Sequence, residues 1–148
     1  MTRCFSYFLL VAPLFCSEHH TDQSCPWLNG ATAAGILGGP VQCKATATTC
    51  DFVGQQSHAQ YRLRIEVRTM AKVRKEFASY LSRCGRGATL LKAIGNEAYV
   101  CPRDRSVIGR VRDQVFSIRV STTAPSVPAA VLEEDAQRVA EQVAGNLF

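Results

Sequence analysis

Two neighbouring stretches decide the fold of this chain: KAIGNEAYVC at residues 92–101 and SVIGRVRDQVFSIRVS at residues 106–121. The second stretch holds two runs rich in β-branched and aromatic residues, separated by the polar pair Asp113-Gln114, and this pattern predicts a β-hairpin. The first stretch predicts a strand that leads into the hairpin through a loop. We therefore expect a sheet here, with the other helices and strands packed around it.

Upstream of these stretches, residues 61–68 (YRLRIEVR) alternate between apolar and charged side chains, the pattern of a strand with one buried face. Residues 41–52, rich in Thr, Val and Cys, predict an earlier strand. Three helices are predicted: a short one after Asn29, one that Thr69 can cap, and one that follows Pro128. The order α-β-β-α-β-β-β-α predicts an α+β fold with a mostly antiparallel sheet packed by N-terminal, central and C-terminal helices.

The composition is that of one globular domain, because 148 residues, 47% of them hydrophobic, are enough to bury a core. The formal charge of +5 favours anionic surfaces only weakly, and no nucleic-acid-binding motif accompanies it. We therefore expect no nucleic acid among the partners.

The first residues are typical of an export signal: the basic residue Arg3 precedes the apolar run 5–15, and a polar segment follows. We expect a signal peptide at residues 1–17, a disordered tether at 18–24 and a single α+β domain at 25–148. The apolar run is shorter than the roughly 20 residues that a membrane-spanning helix needs. The expected location is secreted or periplasmic, with either a plain signal peptide or a lipid anchor at Cys16.

Seven cysteines are typical of a protein from an oxidising compartment, where they pair. Cys84 ends the second helix and Cys101 ends a strand, so a disulfide between them would close a loop of about 17 residues and contribute about 3 kcal/mol. Cys25 precedes the first helix and is expected to pair with Cys50 or Cys43, of which Cys50 is preferred. The fate of the cysteine left over, Cys43 in that case, stays open. No CxxC pair is present, and we expect no metal site.

Signals for catalysis are weak, since the chain has no GxSxG, SxxK, HExxH or phosphate-loop motif. Glu97 could serve as a general acid in a pocket, but a structural role in a turn or an ion pair explains it better. His58 is expected at the surface. We expect no catalytic residue, no cofactor and no enzyme activity.

Arginines are the most suggestive surface feature, because their guanidinium forks bind carboxylate or phosphate bidentately. The candidate ligand-binding residues are Arg62, Arg64, Arg68, Arg110 and Arg112. The alternative is a solvated sheet face on which Glu66, Asp104 and Asp113 are local ion-pair partners.

Several short motifs carry a family resemblance: CPWLN at 25–29, LGG at 37–39, CDF at 50–52, AIGNEA at 93–98 and VRDQVFSI at 111–118. Together they resemble the small secreted proteins and lipoproteins of unknown function from bacterial envelopes. The resemblance implies a PsbP-like α/β/α arrangement and brings no catalytic residues with it. The hairpin tip lacks the glycine that such proteins often have there.

The expected function is that of a non-enzymatic, secreted protein of the bacterial envelope that binds a protein partner or an anionic ligand through its sheet face. The alternative is a carrier of a small molecule or lipid, with a pocket between sheet and helices. A hydrolase of unrecognised type is the third hypothesis. Contact with a membrane is expected only through a lipid at Cys16.

Overall fold

The computed structural model describes residues 24–148, which form three helices and seven strands. The elements are α1 (Gly30–Leu37), β1 (Val41–Ala45), β2 (Thr49–Gln56), β3 (Ala59–Thr69), α2 (Val73–Cys84), β4 (Thr89–Leu91), β5 (Glu97–Cys101), β6 (Ser106–Val111), β7 (Gln114–Thr122) and α3 (Ala129–Leu147). The predicted α+β fold class is confirmed. The predicted signal peptide at 1–17, with Cys16, and all but the last residue of the predicted tether at 18–24 lie outside the described residues.

The strands of this region form one antiparallel sheet in the order β1-β2-β3-β7-β6-β5-β4. Its centre is the pair β3–β7, which runs from Tyr61 opposite Thr122 to Thr69 opposite Gln114. These two strands come from distant parts of the sequence, with α2 and three strands between them. The predicted hairpin, β6–β7, therefore joins the earlier strands through β7.

Helices cover the two faces of this sheet unequally. On one side, which we call the closed face, α1 packs on β1 to β3 and α3 packs on β6 and β7. On the other side, α2 packs over β6 and β7 through a smaller cluster that includes Phe77, Ile108 and Val115. We call this second side the half-open face, because none of the described helices packs over its β1–β3 part.

The closed face holds the main core of the protein. Its largest side chains, among them Phe52, Leu63, Phe116 and Ile118, have no exposed surface. Phe116 lies across Gly109 on the neighbouring strand, where a Cβ atom would come within 2.3 Å of the ring. Glycine at position 109 therefore makes room for the aromatic ring.

The segment 41–52, predicted as one strand, contributes two. Thr46 and Thr49 close the turn between β1 and β2: Thr46 Oγ1 accepts a hydrogen bond from the Thr49 N–H at 3.0 Å, and the two hydroxyl oxygens lie 2.7 Å apart. Threonine is common in strands, but its hydroxyl can also close a turn, and a pattern based on strand propensity does not reveal this second role.

Two boundaries also differ from prediction. Thr69 is the last residue of β3, where it pairs with Gln114, and it does not cap α2, which begins at Val73. No local pattern reveals a partner as distant in sequence as Gln114. The turn between β6 and β7 lies at Arg112-Asp113, one residue earlier than predicted, and Arg112 has a positive φ of 53°.

Candidate functional site

Four exposed arginines share the half-open face and form what we call the arginine patch: Arg62, Arg64 and Arg68 on β3 and Arg119 on β7. The first three share a face because side chains at alternate positions of a strand point the same way. Arg119 joins them because it lies directly opposite Arg64. The structure therefore brings together three of the arginines that the sequence singled out and adds a fourth.

Ion pairs hold two members of the patch in place, one to β2 and one to the β5–β6 turn. Arg64 Nη1 lies 3.3 Å from Asp51 Oδ2 on β2, and the other oxygen of Asp51 is buried without a hydrogen-bond partner among the described residues. Arg119 Nη2 lies 2.8 Å from Asp104 Oδ2, and Asp104 also accepts a hydrogen bond of 2.7 Å from the Ser106 hydroxyl. Each guanidinium has five N–H donors, so both arginines keep donors for a further anion.

Arg62 differs from the rest of the patch. Arg68 Nε lies 2.6 Å from Glu66 Oε1, whereas no acidic side chain of the described residues forms an ion pair with Arg62. Exposed ion pairs such as the one at Arg68 contribute about 0–1 kcal/mol to stability, so they leave the arginines able to exchange partners. Arg62 needs no such exchange before it binds an anion.

Arg110 and Arg112, the other two predicted ligand-binding residues, do not join the patch. The side chain of Arg110 is only 18% exposed, because it lies against α2 beside Phe77 and pairs with Glu97. Arg112 lies in the β6–β7 turn, and its guanidinium carbon is 6.0 Å from the centre of the Phe148 ring, which follows α3. Its side chain is therefore directed towards the closed side of the sheet.

Glu97 is held by two donors on the half-open face. Arg110 Nε donates to Glu97 Oε2 at 3.1 Å, and the Tyr99 hydroxyl donates to Glu97 Oε1 at 2.9 Å. This second hydrogen bond, together with burial and the negative charge of Glu97, raises the pKa of Tyr99 above its ordinary value. Both carboxylate oxygens are thus engaged, which agrees with a structural role for Glu97.

His58 and Glu97 lie at opposite ends of the sheet. His58 is exposed in the β2–β3 turn with a φ of 69°, just before β3 begins. Glu97 stands in a row with Arg110, Val115 and Arg68, close to the end of β3. The two residues therefore do not form an acid–base pair.

Two disulfides fix helical layers to the sheet from opposite sides. Cys25 is joined to Cys50 and Cys84 to Cys101, which are the pairs that the sequence favours. The first bond connects the segment before α1 to the closed face, and the second connects the end of α2 to β5 on the half-open face. Cys43 lies on β1, partly buried against the core of the closed face.

A carrier would need a cavity between the sheet and the helices. On the closed face this space is filled by side chains without exposed surface, such as Phe52, Phe116 and Val143. Beside α2 there is a depression of about 260 Å³, and the Glu97–Arg110 ion pair lines it. These observations favour a binding surface over an enclosed apolar pocket.

Arg119 is the member of the patch that was missed among the ligand-binding candidates. The alternation of Phe116, Ile118 and Val120 indicates that Arg119 points away from the core. The identity of the neighbouring strand, however, is not encoded locally, and only the β3–β7 register puts Arg119 opposite Arg64.

Fold and site together define a small α+β protein with two disulfides in its described part and a charged, partly uncovered sheet face. Comparisons with protein-family models, curated proteins and solved structures find no match to the chain. The resemblance to small envelope proteins therefore stays a prediction. Between residues 24 and 148, no helix is long and apolar enough to cross a membrane.

Proposed function

We propose that this chain is a non-enzymatic, exported protein of the bacterial envelope that binds an anionic partner through its arginine patch. The observation that carries the proposal is the unequal covering of the sheet. Two helices cover the closed face, whereas β3 and β7 present four exposed arginines on the other side. A flat, charged and accessible surface suits the docking of a partner better than the enclosure of a substrate.

Positive charge exceeds negative charge across this surface. Lys44 on β1 extends the patch, because it lies opposite Asp51, whose carboxylate already pairs with Arg64. Arg62 adds a charge with no acidic counterpart within residues 24–148. A surplus of positive charge attracts anionic groups, and arginine adds bidentate hydrogen bonds to carboxylate or phosphate.

Export is supported by two independent features. The disulfides suit an oxidising compartment, because such bonds persist there and are rare in the cytosol. The signal-like sequence of residues 1–17 points the same way. Together they favour a secreted or periplasmic location, with a lipid at Cys16 as the route to membrane anchoring.

Titration of the oxidised, ¹⁵N-labelled protein with two polyanions, poly-L-glutamate and inorganic polyphosphate, tests the binding proposal. At low salt we expect the largest amide shifts in β3 and β7, around the arginine patch. The shifts should shrink as salt is added, because interactions between exposed charges are screened.

Two triple variants with the same change in charge locate the binding. The variant Arg62→Gln, Arg64→Gln, Arg119→Gln should lose the shifts, because it removes three members of the patch. The matched control is Arg74→Gln, Arg86→Gln, Arg112→Gln, which should keep them. Shifts that survive the first variant contradict the proposal, and so does the lack of a localised response to either polyanion.

A further inference from the structure

Three shallow depressions lie side by side at the end of the sheet where β3 begins and β7 ends. They measure about 450, 190 and 250 Å³. The third reaches round to Leu132 of α3, which packs on the closed face. The first two share Gln60, and the last two share Ser121 and Thr122, so their linings form one row from β1 over β2 and β3 to β7. We call it the Arg62 groove, because Arg62 lines its middle section.

The lining of the Arg62 groove suits the backbone of a peptide. Each depression is lined in part by amide or hydroxyl side chains, among them Gln42, Gln60, Ser121 and Thr123, and these groups both donate and accept hydrogen bonds. The third depression also contains Asp104, which pairs with Arg119. No aromatic side chain of the described residues lines the three depressions, so the groove offers no platform on which a nucleic-acid base or a sugar ring could stack.

Two arginines set the spacing of the anionic groups that the groove can bind. Arg62 lies opposite Ser121, and Arg119 lies two residues before Ser121 on the same strand. Arg62 and Arg119 are therefore diagonal neighbours, whose Cα atoms are roughly 7–8 Å apart. In an extended peptide, residues i and i+2 point to one side and are about 6.6 Å apart. Acidic side chains at alternate positions of such a peptide match the two guanidinium groups.

We propose that the Arg62 groove binds an extended acidic segment of a partner protein, with Asp or Glu at alternate positions that meet Arg62 and Arg119. The inference rests on the proposed function and adds the site and the chemistry of the partner. Arg62 is the main anchor, because Arg119 shares its fork with Asp104. The groove crosses four strands, a span of about 14 Å, which accommodates about four to five extended residues.

Two peptides of identical composition test this inference by NMR titration of the oxidised protein. The first, acetyl-Gly-Glu-Ser-Glu-Gly-amide, has alternate glutamates, and the second, acetyl-Gly-Glu-Glu-Ser-Gly-amide, has adjacent ones. We expect the first to shift the amides of residues 60–62 and 119–121. We also expect it to bind about tenfold more tightly than the second, which can engage only one arginine at a time.

Single variants show whether Arg62 is the anchor. Arg62→Gln should weaken binding of the alternating peptide about tenfold, whereas Arg112→Gln should leave it unchanged. The spectrum of each free variant shows whether the fold is intact. Equal affinity for both peptides, or undiminished binding by Arg62→Gln, overturns the inference.

The polyanion titrations separate this inference from the proposed function. If polyphosphate or polyglutamate shifts the amides around Arg64 and Arg68 while the peptide leaves those around Arg62 unmoved, the inference fails and the proposed function stands. If neither polyanion shifts the arginine patch, both fail.

Discussion

The two faces of the sheet are formed by the same strands but have different neighbours. On the closed face, α1 and α3 bury side chains from nearly every strand, and on the half-open face α2 buries only a small cluster. β6 is buried on both sides, whereas β3 is buried on one. Of these two strands, only β3 alternates between apolar and charged residues along its length. Burial on both faces removes this alternation, whereas one exposed face preserves it. The exposed part of the sheet is also where charged side chains remain accessible to a partner.

If the closed face carries most of the stability, then Phe116→Ala should have the largest effect. We expect the free energy of unfolding to fall by about 3–5 kcal/mol, because the ring has no exposed surface and lies across Gly109. Denaturation followed by circular dichroism measures the change. Arg62→Ala on the other face should change it by less than about 0.5 kcal/mol, since Arg62 is exposed. Losses of equal size would remove the distinction between the faces.

The disulfides sharpen the comparison, because each one serves a different face. They close loops of 25 and 17 residues, so loss of either should cost about 3 kcal/mol. The double variant of Cys84 and Cys101 to serine should expose the α2 amides to hydrogen exchange while the closed face stays protected, because the α2 cluster is small. The double variant of Cys25 and Cys50 should lower protection across the sheet, because Cys50 lies in the main core. The same exchange pattern in both variants would argue against two separately fixed layers.

A smaller loss of stability than in either disulfide variant, about 1 kcal/mol, is expected for Glu97→Ala, which removes a partly exposed ion pair and a hydrogen bond. The pKa of Tyr99 should fall towards its ordinary value, because the hydrogen bond to Glu97 is the main cause of its rise. Because folding raises the pKa of Tyr99 in the wild type, its protonated hydroxyl contributes to stability below about pH 10. This contribution is lost as the pH rises through the pKa of Tyr99 in the folded protein.

The tyrosinate signal of Tyr99 in an alkaline NMR titration measures this change. Glu66→Gln is the control, since Glu66 is three strands away from Tyr99 along one row of the sheet and should leave the pKa of Tyr99 unchanged. An unchanged Tyr99 titration in Glu97→Ala would show that burial, and not Glu97, raises the pKa.

The predictability of the fold follows the same division between faces. β3 was found from its alternation, which exists because one of its sides meets water. The turn closed by Thr46 and Thr49 was not found, because its hydrogen bonds use residues that are equally common in strands. The pairing of β3 with β7 could not be predicted either, because the register joins residues as distant in sequence as Arg64 and Arg119.

The candidate site was predicted in part for the same reason. Arg62, Arg64 and Arg68 lie together because one strand alternates, and a single sequence contains that information. Arg110 lies on the same face of the sheet, but α2 packs beside it and limits its exposure. Local sequence patterns do not predict such tertiary packing. Arg112 follows the end of β6, where a positive φ redirects the chain.

The contact between Phe116 and Gly109 also bears on how β6 and β7 find their correct alignment. The two-residue turn between these strands contains no glycine, so the turn alone is weak at fixing which residues stand opposite each other. Slippage by two residues would put Val107 or Val111 opposite Phe116, and a Cβ atom would then occupy the space of the ring. Slippage by one residue would send the ring to the wrong face. The ring of Phe116 therefore fits only one alignment of the hairpin, the one that places Gly109 opposite it.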